Sequence, residues 1–196
     1  MIEQKGFTIW FTGLPYSGMS EIAVCLEGEL LERGLKVELL DENNNLTSKY
    51  LCSDYNFTLQ SKNHVAERFG YITQLLSRNN IIAIAATISP LVDTRNFIRK
   101  NNDNFLEIYV RYSREKSLQY ALDIDNSEAI DLINNYEDPR KPEVIVDPIN
   151  ESVEDSVKII IRTLEILKWV PPLENADYSK ADEDKIHKRL ESLGYL

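Results

Sequence analysis

The sequence predicts an α/β domain in three layers, a parallel sheet covered by helices on both faces, with a short helical appendage at its C-terminal end. Three observations carry that prediction. β-Rich apolar runs alternate along the chain with stretches whose apolar residues recur at helical spacing, the pattern of repeated β-α units with right-handed crossovers. The run Ile81-Ile82-Ala83-Ile84-Ala85-Ala86-Thr87-Ile88 is apolar without alternation, as in a strand buried on both faces. Finally, 196 residues that are 43% hydrophobic and 28% charged, with only 7 glycines and 7 prolines, suit one folded domain and not a linker-rich chain.

Each element follows in order. Thr8 to Thr12 is a strand that ends at Gly13, and Ile22, Cys25, Leu26 and Leu30 mark a helix that Gly34 stops. Cys25 falls on the apolar face, where it reads as a small buried hydrophobe. Val37 to Leu40 is a second strand, followed by a polar break from Asp41 to Asn45. From His64 to Arg78 the spacing of Val65, Phe69, Ile72 and Leu76 gives one apolar helix face. Pro90 closes the central strand. A short helix from Leu91 to Lys100, a strand from Leu106 to Val110, a helix opened by Ser113 and a strand from Val144 to Val146 continue the alternation. Asn150 is the expected cap of a helix carrying Val153, Val157, Ile160, Ile161 and Leu164. Beyond Trp169-Val170-Pro171-Pro172 the core pattern stops. The chain therefore divides into a domain over 1–172 and a tail over 173–196, whose amphipathic helix carries Ile186, Leu190 and Leu193 on one side; that stripe suits packing on the chain's own domain and contact with a partner equally well. Ligands of such sheets bind at the carboxyl ends of strands, so the candidate loops follow Thr12, Leu40 and Ile88.

Charge narrows the partners. Lysine plus arginine total 22 against 32 aspartates and glutamates, a net charge of −10 that repels phosphate backbones and anionic lipid, and no basic run offsets it. The start MIEQKGFTIW lacks the regions of a signal peptide, and no apolar stretch has membrane-spanning length. A cytoplasmic protein that binds neither nucleic acid nor membrane is expected. Cys25 and Cys52 lack CxxC spacing, and His64 and His187 lie far apart, which argues against a structural zinc site.

Gly13-Leu14-Pro15-Tyr16-Ser17-Gly18-Met19-Ser20 joins the first strand to the first helix, the context of a phosphate-binding P-loop. In G-x-x-x-x-G-K-[ST], backbone N–H groups cradle phosphates, the lysine reaches the β and γ phosphates, and the hydroxyl ligates magnesium. Gly13, Ser17, Gly18 and Ser20 are in place, with Ser20 the ligand if magnesium binds. Met19 stands where the lysine should be, and Pro15 has no N–H to donate. On the pattern alone, a tight strand-to-helix turn accounts for the loop as well.

Longer motifs in collinear order carry a family resemblance from Lys5 to about Leu167. KGFTIWFTGLPYSGMS resembles the opening of adenylylsulfate (APS) kinases, and LLDENN falls where that family has Leu-Asp-Gly-Asp. CSDYNF, ERFGYITQLLSRNNIIAIAATISP, FLEIYV and YEDPRKPEVIVD continue the series. The resemblance implies a P-loop NTPase-like fold, a dimer, and transfer of the γ-phosphoryl of MgATP to the 3′-hydroxyl of APS. It also implies a nucleotide-sulfate pocket partly kept in Phe57, Arg68, Ile88, Ser89 and Pro90, with Arg95 matching as well. Read without the family, Phe57 is a packing aromatic and Ser89-Pro90 a packing and capping pair.

The departures cluster at the charged groups on which phosphoryl transfer depends. Besides Met19, Asp41 keeps the first aspartate of Asp-Gly-Asp, but the second, the family's base, is Asn43, and an amide cannot take up the hydroxyl proton as a carboxylate does. Lys62 stands in place of a family arginine and Val65 in place of a substrate-contacting asparagine. The lid motifs are gone, with Tyr120 and Ala121 near their Arg-Asp positions, and Tyr16 replaces a small loop residue. The expectation is a pseudokinase with no intact catalytic residue. It would bind adenine nucleotide or APS as a sensor, or act as partner to an active enzyme, and form a homodimer. The alternative is a weak APS kinase using substitutes such as Lys49 or Lys62, or a kinase for another acceptor, with MgATP as phosphoryl donor.

Overall fold

The computed structural model describes residues 4–52, 58–172 and 180–196. Its elements run β1 (Thr8–Gly13), α1 (Met19–Glu32), β2 (Val37–Asp41), α2 (Asn45–Leu51), α3 (Leu59–Arg78), β3 (Ile82–Ala86), α4 (Val92–Lys100), β4 (Phe105–Val110), α5 (Arg114–Asp123), α6 (Ser127–Asn135), β5 (Val144–Val146), α7 (Val153–Ile166) and α8 (Lys180–Leu193). The strands form one sheet of order β2-β3-β1-β4-β5, and every pair is parallel. This is the three-layer P-loop-type α/β/α domain that the sequence predicts.

Period-two alternation in β1 sends its side chains to two different cores. Ile9 and Phe11 join α1 and α7 through Ile22, Leu26, Leu30, Ile160 and Leu164, while Trp10 points to the other face, among Val65, Phe69 and Ile98 of α3 and α4. Trp10 and Phe105 stack there with ring centroids 5.9 Å apart. A third cluster joins the residues that follow β1 and β3, Leu14 and Ile88, to Ala121 of α5 and to Ala129, Leu132 and Ile133 of α6. This cluster positions the candidate site, because it lies where the strands deliver their loops.

Several boundaries differ from the sequence expectation, each for a capping reason. The polar break after β2 contains α2, because Asn44 accepts hydrogen bonds from the amides of Leu46 and Thr47 and so starts a helix inside an asparagine-rich run. Thr58 caps α3 and starts it at Leu59, well before His64. Ser113 does open a helix, but α5 ends at a turn with Asp125 at φ 53°, and Asn126 caps a second helix, α6. The cap of α7 is Ser152, whose hydroxyl accepts from the Asp155 amide at 3.1 Å, and not Asn150, which sits in a turn bonded to Asp147. Cys25 is half-buried at the edge of the main core instead of fully inside it.

The tail helix α8 packs on α7. Ile186 and Leu190 are buried, Arg162 pairs with Glu183, Arg189 donates twice to the Pro142 carbonyl, and the Tyr195 hydroxyl donates to Glu143 at 2.8 Å. The chain's own domain thus covers most of the apolar stripe, so the stripe gives no argument for a partner. No helix among the described residues is long and apolar enough to cross a membrane.

Candidate functional site

Two glycines shape the loop between β1 and α1. A Cβ on Gly13 would lie 2.7 Å from the Val110 carbonyl oxygen, so only glycine lets the chain leave β1 this close to β4. Gly18, at φ 77°, precedes α1 with no side-chain cap on the helix. Tyr16 also takes a left-handed conformation, φ 67°, which is strained for a residue with a Cβ. Its ring packs on Tyr120 of α5 with centroids 4.5 Å apart, and Ser117 of the same helix donates to the Pro15 carbonyl at 2.8 Å. Helix α5 therefore lies against the outer side of the loop, where Tyr120 and Ala121 were expected at the lid positions.

The loop encloses a cavity of about 300 Å³ lined by residues 14–21 together with Glu42, Asn43 and Ile88. Among the described residues lining it there are two carboxylates, Glu21 and Glu42, and no lysine or arginine. Residues 1–3, 53–57 and 173–179, outside the described set, contain no lysine or arginine either. Met19 is 6% exposed and joins the main hydrophobic core. Glu21 lies in the first turn of α1, where its charge already complements the helix dipole that would otherwise favour a phosphate.

At the magnesium position the hydrogen bonds form a triangle. Ser20 Oγ donates to Asp41 Oδ1 at 3.0 Å and accepts from Asn43 Nδ2 at 3.0 Å, while the Asn43 amide donates to the same Asp41 oxygen at 3.0 Å. Beside it lies a feature that sequence reasoning missed. Glu42, in the place of the family's glycine, is buried and pairs with the fully buried Lys62 at 3.1 Å, and Thr87 donates to its second oxygen at 2.9 Å. Burial pushes the Lys62 ammonium below its ordinary pKa, against the opposing pull of Glu42. A glutamate between the Asp and Asn of this motif was the available signal, since a charge placed next to a core strand needs a buried partner.

The residues expected in the nucleotide-sulfate pocket do not converge on this cavity. Ile88 lines it. Ser89 is fully buried at φ 41°, bonded to Trp10 Nε1 and to Thr12 Oγ1, each at 3.0 Å. Pro90 is buried and its carbonyl accepts from the Glu137 amide. Arg68 donates to the Leu51 carbonyl at 2.9 Å, tying α3 to the end of α2. Arg95, buried, binds Glu107 at 3.1 Å and the Glu137 carbonyl at 2.6 Å. Val65 packs in the second core, and Lys49 is exposed with its ammonium over the Tyr50 ring. Phe57 lies outside the described residues.

The residues present fit MgATP poorly. Asp41 and Ser20 could offer magnesium two oxygens, but a triphosphate entering the loop would meet the carboxylate of Glu21 and no lysine or arginine among the described residues lining the cavity, and one of the loop's N–H donors is lost at Pro15. Among the described residues no group of three or more His, Cys, Asp or Glu side chains forms a metal site.

A parallel sheet with β1 at its centre, feeding a glycine loop into the first helix, defines the class of P-loop kinase-like proteins. The comparisons with known proteins narrow it. The adenylylsulphate kinase family model matches residues 5–147. A probable adenylyl-sulfate kinase of Pseudomonas aeruginosa is 34% identical over 172 residues, covering 83% of this chain and 78% of that protein. The adenylyl-sulfate kinase of Staphylococcus carnosus is 35% identical over 178 residues, covering 85% and 87%. Among solved structures, Mycobacterium tuberculosis APS kinase CysC in complex with AMPPNP and APS aligns with TM-score 0.70 at 25% identity, over 83% of this chain and 99% of that one. The hexameric APS kinase from Thiobacillus denitrificans aligns with TM-score 0.68 at 28% identity, over 86% of this chain and 30% of that one. The chain belongs to the adenylylsulfate kinase family.

Proposed function

We propose that this chain is a catalytically inactive member of the sulfate-activation family, a pseudokinase that keeps the fold and serves as a partner or sensor. The observation that carries the proposal is the loop cavity, which has no lysine or arginine among the described residues lining it and has the exposed carboxylate of Glu21 on its wall, the charge of Glu42 being matched by Lys62. Phosphoryl transfer depends on positioning and on neutralising charge that spreads over the phosphoryl oxygens, so a site of this sign opposes the transition state it would have to stabilise. The amide at Asn43, bonded to Ser20, removes the proton acceptor at the same place. The Ser20–Asp41 bond stands on the side of residual kinase activity.

The proposal takes residues 1–172 as the family domain and 173–196 as its tail, with Gly13, Ser17, Gly18, Met19 and Ser20 as loop remnants and Asp41 and Asn43 as catalytic remnants. It also takes the protein to be a cytoplasmic homo-oligomer, most simply a dimer; the hexameric relative supports association in the family. Calorimetric titration with MgATP, ADP and APS tests the site. Saturable binding of one of them would identify the ligand of the sensor role and no binding of any would leave the partner role, whereas APS-dependent turnover of MgATP at ~1 s⁻¹ or more would overturn the proposal. Light scattering tests association, and a mass near 22.6 kDa would reject it.

A further inference from the structure

This acidic chain gathers positive charge away from the phosphate loop. A cavity of about 430 Å³ lies between α4, the segment leading into β5 and the chain end after α8. Arg95 and Arg99, one turn apart on α4, line one side and Glu107 and Glu143 lie beneath them. These four charges neutralise one another: Arg95 pairs with Glu107 at 3.1 Å, Arg99 with Glu107 at 3.1 Å and with Glu143 at 2.6 Å. The exposed Arg140 and Lys141 also line the cavity, and neither has a hydrogen bond or ion pair to a described residue. The cavity therefore carries two positive charges in excess.

Those two cations are held on a braced segment. Pro139 and Pro142 flank them and fix two backbone torsions. The Pro142 carbonyl accepts from Arg189 at 3.0 and 2.6 Å. Glu143 accepts from Arg99 on both oxygens, at 2.6 and 2.9 Å, and from the Tyr195 hydroxyl at 2.8 Å. Pro139, Leu193 and the Tyr195 ring supply an apolar wall beside the cations. Leu193 and Tyr195 lie beyond the family-matched residues 5–147, so this part of the wall comes from outside the family match.

We propose that this cavity binds a small organic dianion of the phosphate monoester class, its charged end on Arg140 and Lys141 and its apolar body against Pro139, Leu193 and Tyr195. Two adjacent cations on a braced backbone match a doubly charged headgroup, and the local field opposes the sign of the molecule as a whole. The site is separate from the phosphate loop and stands whether or not the chain transfers phosphate.

The test is titration of the full chain, by calorimetry, with phenyl phosphate, inorganic phosphate and phenol. Phenyl phosphate should saturate with Kd below about 1 mM, inorganic phosphate should bind about tenfold more weakly, and phenol should not bind, because body and headgroup both contribute. Arg140→Ala/Lys141→Ala should weaken phenyl phosphate about tenfold or more without changing Tm, and added salt should weaken the wild type. No saturable phenyl phosphate binding up to about 10 mM would overturn the proposal, as would a double variant that binds like wild type. Loss of binding in Ser20→Ala, with Arg140→Ala/Lys141→Ala unaffected, would place the ligand in the phosphate loop and overturn it equally.

Discussion

Replacing Lys62 by methionine removes a charge while nearly keeping the volume, and so perturbs the buried pair that sits beside the loop. Lys62 is fully buried and Glu42 is 3% exposed, with 3.1 Å between Nζ and Oε1. Removing one partner of such a pair leaves an uncompensated charge in the interior and costs about 3–5 kcal/mol. For a domain of this size each kcal/mol lowers Tm by about 2–4 °C, so Lys62→Met should lower it by about 6–20 °C. Glu42→Gln/Lys62→Met removes both charges and leaves Thr87 an oxygen to donate to, so it should recover a large part of that loss. Thermal unfolding followed by circular dichroism at pH 7 reads all three proteins. A Lys62→Met protein within about 2 °C of wild type, or a double variant no better than the single, would refute the idea that this pair holds the strand ends together.

Other perturbations address the loop, the tail and pH. Met19→Lys with Asn43→Asp should leave phosphoryl transfer below about 1% of an ordinary kinase's ~1 s⁻¹, because the lid motifs are still absent from the sequence and Glu21 still lines the cavity; a coupled assay checks it. Leu190→Ala empties a fully buried site between α8 and the domain and should cost about 2–5 kcal/mol in denaturant unfolding, with the mass from light scattering unchanged. Burial, and secondarily the charge of Asp138, push the Tyr109 hydroxyl up to about 12 from 10.0. The native state therefore holds this proton more tightly than the unfolded chain. Its contribution to stability is complete below pH 10.0 and is lost as pH rises toward 12. Tyr109→Phe should flatten that alkaline decline in unfolding measurements between these pH values.

The sheet, its buried strand β3 (one place from the centre, which β1 occupies) and the loop were legible because their signals are local and strong. An apolar run such as Ile82–Ala86 has few alternatives to a buried strand, and Gly13 and Gly18 bracket a turn that other residues do not make easily. Helix α2 was not legible, because asparagines depress helix propensity while Asn44 supplies a cap, and only the local geometry decides between the two. The losses at Met19 and Asn43 could be read residue by residue. What the losses were replaced with could not. That Glu42 turns inward to Lys62, that Ser89 is consumed by Trp10 and Thr12, and that α5 leans on the loop through Ser117 and Tyr120 are contacts across 20 to 104 residues of sequence. The same holds for the tail stripe, whose amphipathic pattern is identical whether it covers its own domain or another surface.

The measurement that bears most directly on the central claim is APS-dependent formation of ADP from MgATP by the 196-residue chain, followed in a coupled assay over a range of enzyme concentrations. The cation-free loop predicts no turnover above the enzyme-free background, with no slope against enzyme concentration. Turnover at ~1 s⁻¹ or more, proportional to enzyme and dependent on APS, would contradict it.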